Sequence, residues 1–351
     1  MVKRSKVWGY CGGAWDDGLF GGAGDVLNRC LESCRARLEV RNGVEFGSVG
    51  KTVAELQKKL EWLELQPSTP DIIRYLRNTR IKLNCWMDKE DNMWRQRSRI
   101  SWMQSGDRNT RFFHEKVSAR YKKNLIVLMD ENSSWLEGDE NVERMMLQYY
   151  ERLFTSSYPS EFEEILDAVQ HKVTPRMNQA LVREFSKVEV KNALKQMYPL
   201  KSPGPDGMPP LFYQHFWPKI GGVITSSVLA FLNSGIIPPN FNHTHIFLVP
   251  KCKEPKTVID YRPISICNVV YKIASKAITN RLKKVLPSII SDTQSAFVHD
   301  RLITDNVLVA YEMMHHISQK KSGRVGDLPL KLDMSKAYDK VEWIWLEKNH
   351  A

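Results

Sequence analysis

Apolar residues recur at helical spacing over much of the chain. Val53, Leu56, Leu60 and Leu63 fall on one helical face, and Pro67 follows, so the pattern predicts a helix from residue 53 to about 66. A second, longer helical pattern runs from 71 to about 102, and the pair would form a helical hairpin. Further helices are predicted for 268–286 and 306–318, each with apolar residues on one face.

Short apolar runs between these segments predict strands. Such runs occupy 125–129, followed by a turn to 137, and also 245–249 and 328–333. Ser186 and Glu189 have the spacing of a capping box, which predicts a helix start there, and Pro199 ends that pattern. Four of the seven residues in 201–207 are Pro or Gly, which indicates a loop. Helices around short strands predict the α+β class.

The first 24 residues contain seven glycines and no apolar period, which is typical of a flexible leader. No run approaches the ~20 apolar residues of a membrane span, and no apolar segment follows the basic N-terminus as in a signal peptide. We therefore expect an intracellular protein with no membrane partner.

Positive charge is concentrated in two regions of a chain with a net charge of +11. Residues 74–123 carry a net +9 and residues 251–351 a net +6, whereas residues 130–167 carry a net −9. Phosphate backbones are the commonest partners of cationic surfaces, which favours nucleic acid. Solvated helix faces are the alternative.

The end of the last predicted strand offers a metal ligand. Asp333 follows the apolar run 328–332, so the sheet would fix the position of its carboxylate. Mg²⁺ prefers such hard oxygen ligands in near-octahedral geometry. Tyr338, five residues on, could present a flat face beside whatever the metal holds. The alternative is a strand-end Asp that caps the next helix.

Four further motifs accompany this one in a fixed order. They are Lys201-Ser-Pro-Gly-Pro-Asp-Gly207; Asp260-Tyr-Arg-Pro-Ile-Ser with Asn280-Arg-Leu282; Gln294-Ser-Ala-Phe-Val298 with Arg301; and Ser105-Gly-Asp-Arg-Asn-Thr110 after the basic run 94–99. Together they resemble the reverse transcriptases of LINE-type (non-LTR) retrotransposons, particularly those of plants. The resemblance runs from about residue 45 to 347.

The resemblance implies roles for individual residues. Asp333, with the backbone carbonyl of Met334, would hold a catalytic Mg²⁺ ion, and Tyr338 would stack under the incoming sugar and exclude its 2′-OH. Lys251 and Arg262 would grip the nucleotide triphosphate, because Arg can donate to two phosphate oxygens and Lys supplies a point charge. Ordinary surface charge is the alternative for these two cations.

Nucleic-acid contacts are expected at a larger set of arginines: Arg95, Arg97, Arg99, Arg108 and Arg301. The family usually has glycine and a small or basic pair before the last of these, whereas this chain has His299 and Asp300.

By the same resemblance, we predict four regions: a glycine-rich leader (1–50), a basic helical region before the polymerase (51–124), a mixed acidic connection (125–200), and the fingers with the first palm strand (201–351). The partners would be an RNA template, a DNA primer and deoxynucleotides, and the site of action would be the nucleus.

The 351 residues contain no Tyr-x-Asp-Asp motif, which supplies further metal ligands in the family. Two-metal transfer needs those carboxylates. We therefore expect a polymerase truncated within the palm and inactive alone, with the missing C-terminal portion as a possible partner. The alternatives are a non-catalytic RNA-binding remnant and a non-functional gene relic.

Overall fold

The computed structural model describes residues 11–13, 15–16, 26–98, 139–159, 163–167, 171–320 and 326–348, and single positions at 115, 118, 126, 128, 129 and 135. Within these parts the protein is mixed, with many helices and one two-stranded sheet, consistent with the predicted α+β class. The helices are α1 (Val26–Arg41), α2 (Val49–Glu64), α3 (Pro70–Ser98), α4 (Asp139–Phe154), α5 (Glu163–Asp167), α6 (Pro175–Val182), α7 (Lys187–Lys195), α8 (Pro210–Ser234), α9 (Val269–Ile289), α10 (Ile303–Gln319) and α11 (Trp343–Lys348). The strands are β1 (Thr244–Pro250) and β2 (Tyr261–Cys267).

The chain divides into two compact units. The first combines residues 1–136 with 245–266, and the second combines 137–244 with 267–351. Across the part of the chain that the structure describes, no helix has both the length and the apolar character that crossing a bilayer requires.

The predicted helical hairpin is present in the first unit as α2 and α3, which pack against each other. Val53 and Leu63 are buried on the predicted face of α2, and Ser48 caps its start by accepting from the Lys51 amide. An ion pair between Arg80 and Glu64, 2.7 Å apart, also joins the two helices. Residues 99–102, at the predicted end of the second helix, lie outside the described residues.

Helix α1 was not predicted. It lies within residues 1–50, where we expected only a flexible leader, and it buries Leu27, Cys30, Leu31 and Cys34. These residues have the spacing i, i+3, i+4, i+7 of a helical face. The pattern is recognisable only if the two cysteines are counted as apolar residues.

The second unit has its core where α7, α8 and α9 pack together. Helix α8 buries Tyr213, Ile220, Ile224 and Val228, and it ends at Gly235, whose φ of +73° is the left-handed conformation typical of a helix end. The predicted capping box is confirmed at the start of α7. Ser186 accepts from the Glu189 amide, and Glu189 accepts from the Ser186 amide.

The strand predicted at 328–333 is absent, and this part of the prediction was wrong. Residues 326–334 form no strand, and Leu328, Leu330 and Leu332 are 76 to 87% exposed. A strand requires hydrogen-bonding partners. Within the described residues β1 pairs with β2, and Met129 and Trp135 form an isolated antiparallel bridge, but neither pairing involves residues 326–334. Helix α10 is present as predicted, yet none of its residues is buried.

Candidate nucleotide and nucleic-acid site

The β1–β2 ribbon in the first unit carries two of the predicted site residues. The Lys251 amide donates to the Asp260 carbonyl at 2.7 Å, just beyond the strand ends, so Lys251 is opposite Asp260 and Val249 is opposite Arg262. Positions 249, 251, 260 and 262 therefore share one face of the ribbon, while the fully buried Tyr261 lies on the other. Lys251 and Arg262 are thus diagonal neighbours on a face where both are exposed.

The turn between the strands is fixed by Asp260. Its Oδ2 atom accepts from the Lys256 amide at 3.0 Å, and from both the amide and the hydroxyl of Thr257 at 2.9 and 3.0 Å. These bonds, chiefly that from the Thr257 amide, lower the pKa of the Asp260 carboxyl below its ordinary value. The Lys251 ammonium donates to the Ile259 carbonyl at 2.6 Å. Arg262 makes no hydrogen bond or ion pair with any described residue.

In the second unit, the Pro/Gly loop 201–207 lies against the start of α9. A Cβ atom at Gly204 would be 2.4 Å from Asn268 Oδ1 and 2.5 Å from the Asn268 amide nitrogen, so only glycine fits this contact. Asn268 Oδ1 accepts from the Asp206 amide at 3.1 Å. Lys272 Nζ donates to the Ser202 carbonyl at 2.9 Å, and burial lowers the pKa of that ammonium.

Arg301, a predicted nucleic-acid contact, is engaged within the protein. Its guanidinium donates to the carbonyls of residues 287, 290, 291 and 294 at the end of α9 and the loop that follows, and it pairs with Asp292 at 3.3 Å. The side chain is 18% exposed. In this arrangement Arg301 donates to carbonyls at the end of α9 and just beyond it, while the Asp300 carboxylate contacts the His299 ring.

Asp333, Met334 and Tyr338 all lie on the exposed part of the second unit. The Tyr338 ring is 80% exposed and meets Phe297 edge to face, with 6.3 Å between ring centroids. Residues 152–157 and 338–343 line an open groove of about 730 Å³ beside it. Among the described residues, no group of three or more His, Cys, Asp or Glu side chains could hold a metal ion.

Of the predicted contacts in the basic region, only the Arg95 side chain is described. Arg95 lies on α3, is 26% exposed and is 3.4 Å from Asp91. The side chain of Arg97, and the whole of Arg99 and Arg108, lie outside the described residues. Arg77 and Lys82, on the same helix, are exposed and make no hydrogen bond or ion pair with the described residues.

Comparison with known proteins identifies the family of this chain. Residues 250–350 match the family described as "Reverse transcriptase (RNA-dependent DNA polymerase)". Over 254 residues, or 71% of this chain, the sequence is 31% identical to the "Transposon TX1 uncharacterized 149 kDa protein" of Xenopus laevis. The chain belongs to the reverse transcriptases of non-LTR retrotransposons. It spans about a fifth of the length of that relative, 19%.

The reverse transcriptase match begins one residue before Lys251 and includes Arg262, Arg301, Asp333 and Tyr338. The structure brings Lys251 and Arg262 to one face of the ribbon, whereas Asp333 and Tyr338 belong to the other unit. The basic residues of α3 and the loop 201–207 lie outside the matched range.

One residue of the reverse transcriptase motifs has a role that sequence reasoning missed. Arg281 is 5% exposed and pairs with Glu189 through two bonds, of 2.9 and 3.2 Å. It also donates to the carbonyls of Leu181, Arg183 and Glu184. The Arg281 bond first, and then the bonds from the Ser186 amide and hydroxyl, lower the pKa of Glu189 to about 2. The partners are about 92 to 100 residues apart in sequence, so no local pattern indicated them.

Proposed function

We propose that this chain is the nucleotide-binding part of a non-LTR retrotransposon reverse transcriptase, comprising the fingers from residue 201 and the beginning of the palm. The observation that carries the proposal is the shared exposed face of Lys251 and Arg262. A diagonal pair of cations on a ribbon can engage one polyphosphate, with Arg donating to two oxygens and Lys supplying charge. Arg262 makes no ion pair or hydrogen bond among the described residues, so its guanidinium is available to a ligand.

In the proposed reaction, a primer 3′-OH attacks the α-phosphate of a deoxynucleoside triphosphate on an RNA template. A phosphodiester bond forms, the bond from the α-phosphorus to the bridging oxygen breaks, pyrophosphate leaves and the hydroxyl proton passes to solvent. Catalysis of this kind depends mainly on positioning and on neutralising charge. Mg²⁺ would supply that neutralisation, with Asp333 and the Met334 carbonyl as ligands. The described residues do not form a two-ion site by themselves, because Asp333 belongs to no group of three candidate ligands. We therefore infer that these 351 residues bind nucleotide and need carboxylates from further polypeptide to polymerise.

Equilibrium binding of a labelled deoxynucleoside triphosphate to the 351-residue chain tests the assignment. Arg262→Ala should weaken binding by about 10- to 100-fold, since a charge-assisted hydrogen bond contributes about 1.5–3 kcal/mol. Lys251→Ala should also weaken binding. The matched control is Lys253→Ala, an exposed cation in the same turn. Equal affinities for Arg262→Ala and Lys253→Ala would contradict the proposal.

Primer extension on an RNA template with Mg²⁺ tests the second part. We expect no extension by the chain alone. Extension that is lost in Asp333→Ala would show that the remaining carboxylates are supplied within these residues or by a second copy.

Nucleic-acid binding without catalysis is the second candidate, and the exposed cations Arg77 and Lys82 on α3 favour it. If α3 contacts the RNA backbone, the logarithm of affinity should fall with the logarithm of salt concentration, with a slope of about −0.7 per phosphate contact on single strands. Arg77→Ala should make that slope shallower by about one contact. A slope near zero in the unmutated chain would contradict this candidate. The third reading, a gene relic, predicts aggregation in place of a cooperative thermal melt.

A further inference from the structure

The segment that carries Tyr338 lies against α4 and the turn that follows that helix. Tyr338–Lys340 form a 3₁₀ turn that packs on α4. The turn is closed by bonds from the amides of Asp339 and Lys340 to the Lys336 carbonyl, at 3.0 and 3.1 Å. Lys336 Nζ is 5.8 Å from the centroid of the Tyr149 ring. The backbone on the N-terminal side of Tyr338 is therefore ordered by local contacts.

Glu342 holds the other side of the same segment. Its carboxylate accepts from the Ser156 hydroxyl at 2.5 Å, from the Ser157 hydroxyl at 2.9 Å and from the Ser157 amide at 3.1 Å. The residues lie about 185 positions apart in sequence. Hydrogen bonds to an ionised carboxylate are roughly twice as strong as bonds between neutral groups, and here three donors converge on one carboxylate.

Ser156 and Glu342 each make a further hydrogen bond within their own segment. Ser156 Oγ also accepts from the Tyr158 amide at 3.0 Å, and Tyr158 has a φ of +48°, a left-handed conformation that is costly for a residue with a side chain. On the other side, the Glu342 carbonyl accepts from the Leu346 amide at 3.1 Å and so begins α11. Glu342 thus joins the turn after α4 to the junction between the 3₁₀ turn and α11.

The Tyr338 side chain has little else to fix its position. Tyr338 is 80% exposed, and the ring contact that it makes among the described residues is with Phe297, which is itself 87% exposed. The location of the ring therefore depends on the backbone of the 3₁₀ turn, and the turn is held at its C-terminal side by Glu342.

We propose that Glu342 is a positioning residue that sets Tyr338 for discrimination against ribonucleotides. The inference rests on the proposed function and on the role that the family resemblance implies for Tyr338, which is to exclude the 2′-OH of the incoming sugar. Glu342 does not touch the nucleotide. It acts by keeping the Tyr338 backbone at a fixed distance from the groove wall formed by residues 152–157.

Hydrogen–deuterium exchange tests the structural part without any nucleotide. In Glu342→Ala, the amides of 338–346 should exchange about tenfold faster or more, because the turn loses the hydrogen bonds that hold its C-terminal side. Glu342→Gln should recover part of the protection, since its carbonyl can still accept from the Ser157 amide. Glu347→Ala, an exposed acid five residues further on, is the charge-matched control. Unchanged protection in Glu342→Ala would overturn the inference.

The ratio of affinities for a deoxynucleoside and the corresponding ribonucleoside triphosphate tests the functional part. In the unmutated chain the deoxynucleotide should bind more tightly, and both Tyr338→Ala and Glu342→Ala should reduce that preference, by about tenfold. A ratio that Tyr338→Ala leaves unchanged would overturn the gate and with it the role of Glu342, whereas nucleotide binding itself is tested separately by Arg262→Ala. A ratio that changes in Tyr338→Ala and not in Glu342→Ala would leave the gate in place and overturn the role of Glu342.

Discussion

Helix α9, in the core of the second unit, and the β1–β2 ribbon both carry reverse transcriptase motifs, but the arginines of the two motifs differ in burial and in partners. Arg281, on α9, is 5% exposed, and among the described residues its hydrogen bonds, ion pair and ring contact are with Glu189, nearby carbonyls and the Phe185 ring. Arg262, on β2, is exposed and unpaired among the described residues. Motif residues of one family therefore divide into those that are buried in contacts within the fold and those whose side chains remain exposed. Burial and partners, not motif membership, separate the two groups.

The largest effect that follows from this comparison is on stability. Arg281→Ala should destabilise the protein by about 3–5 kcal/mol, because it leaves Glu189 without its main partner and three carbonyls without donors. Lys283→Ala, an exposed cation on the same helix, should change the free energy of unfolding by less than about 0.5 kcal/mol. Chemical denaturation of both variants measures the difference, and similar values for the two would show that the Arg281 contacts contribute little.

The pH dependence of unfolding measures the contribution of the Glu189–Arg281 pair to stability. The pKa of Glu189 is lowered from 4.5 to about 2, so its contribution to stability is complete above about pH 4.5 and is lost as the pH falls towards 2. The loss should be about 2–3 kcal/mol. In Glu189→Gln this part of the pH dependence should disappear. A stability curve in acid that is the same in both proteins would contradict the assignment.

A smaller effect is expected at the loop 201–207. Gly204→Ala should destabilise the protein by about 1–2 kcal/mol, because the new Cβ atom has no room beside Asn268. Gly222→Ala is the control: it lies in α8, nothing would lie within 4 Å of its Cβ atom, and alanine should stabilise the helix by about 0.5–1 kcal/mol. Thermal melts should therefore shift in opposite directions for the two variants.

The smallest stability effect belongs to the ribbon. Arg262→Ala should leave the free energy of unfolding within about 0.5 kcal/mol of the unmutated value, while its nucleotide affinity falls. A large loss of stability in Arg262→Ala would show that Arg262, like Arg281, stabilises the fold, and the two arginines would not differ in role.

Sequence reasoning predicted those parts of the fold that depend on neighbouring residues. Helix α2 follows from the spacing of Val53 to Leu63, and α7 from the three-residue separation of Ser186 and Glu189. The contacts between Arg281 and Glu189, and between Gly204 and Asn268, join residues 92 and 64 positions apart. No periodicity encodes such pairs.

The strand prediction for 328–333 was wrong for a related reason. Its alternation of Leu with other residues has the period of a strand, but a strand also needs a neighbour whose backbone groups it can pair with. For the candidate site, the sequence indicated Lys251 and Arg262 through the family resemblance alone. Their common face became visible only once the register of β1 and β2 was known, and the roles of Lys251, Arg262, Asp333 and Tyr338 remain predictions.

The register of the ribbon also limits which insertions and deletions can be tolerated in evolution. Side chains alternate between the two faces, so a deletion that shifts β2 by one residue would exchange the environments of Tyr261 and Arg262. An aromatic ring now fully buried would become exposed, and a guanidinium would take its place inside. Length changes confined to residues 252–255, before the Lys256 amide that donates to Asp260, leave this alternation intact. Related proteins should therefore vary in length there and keep the spacing from Asp260 to Arg262.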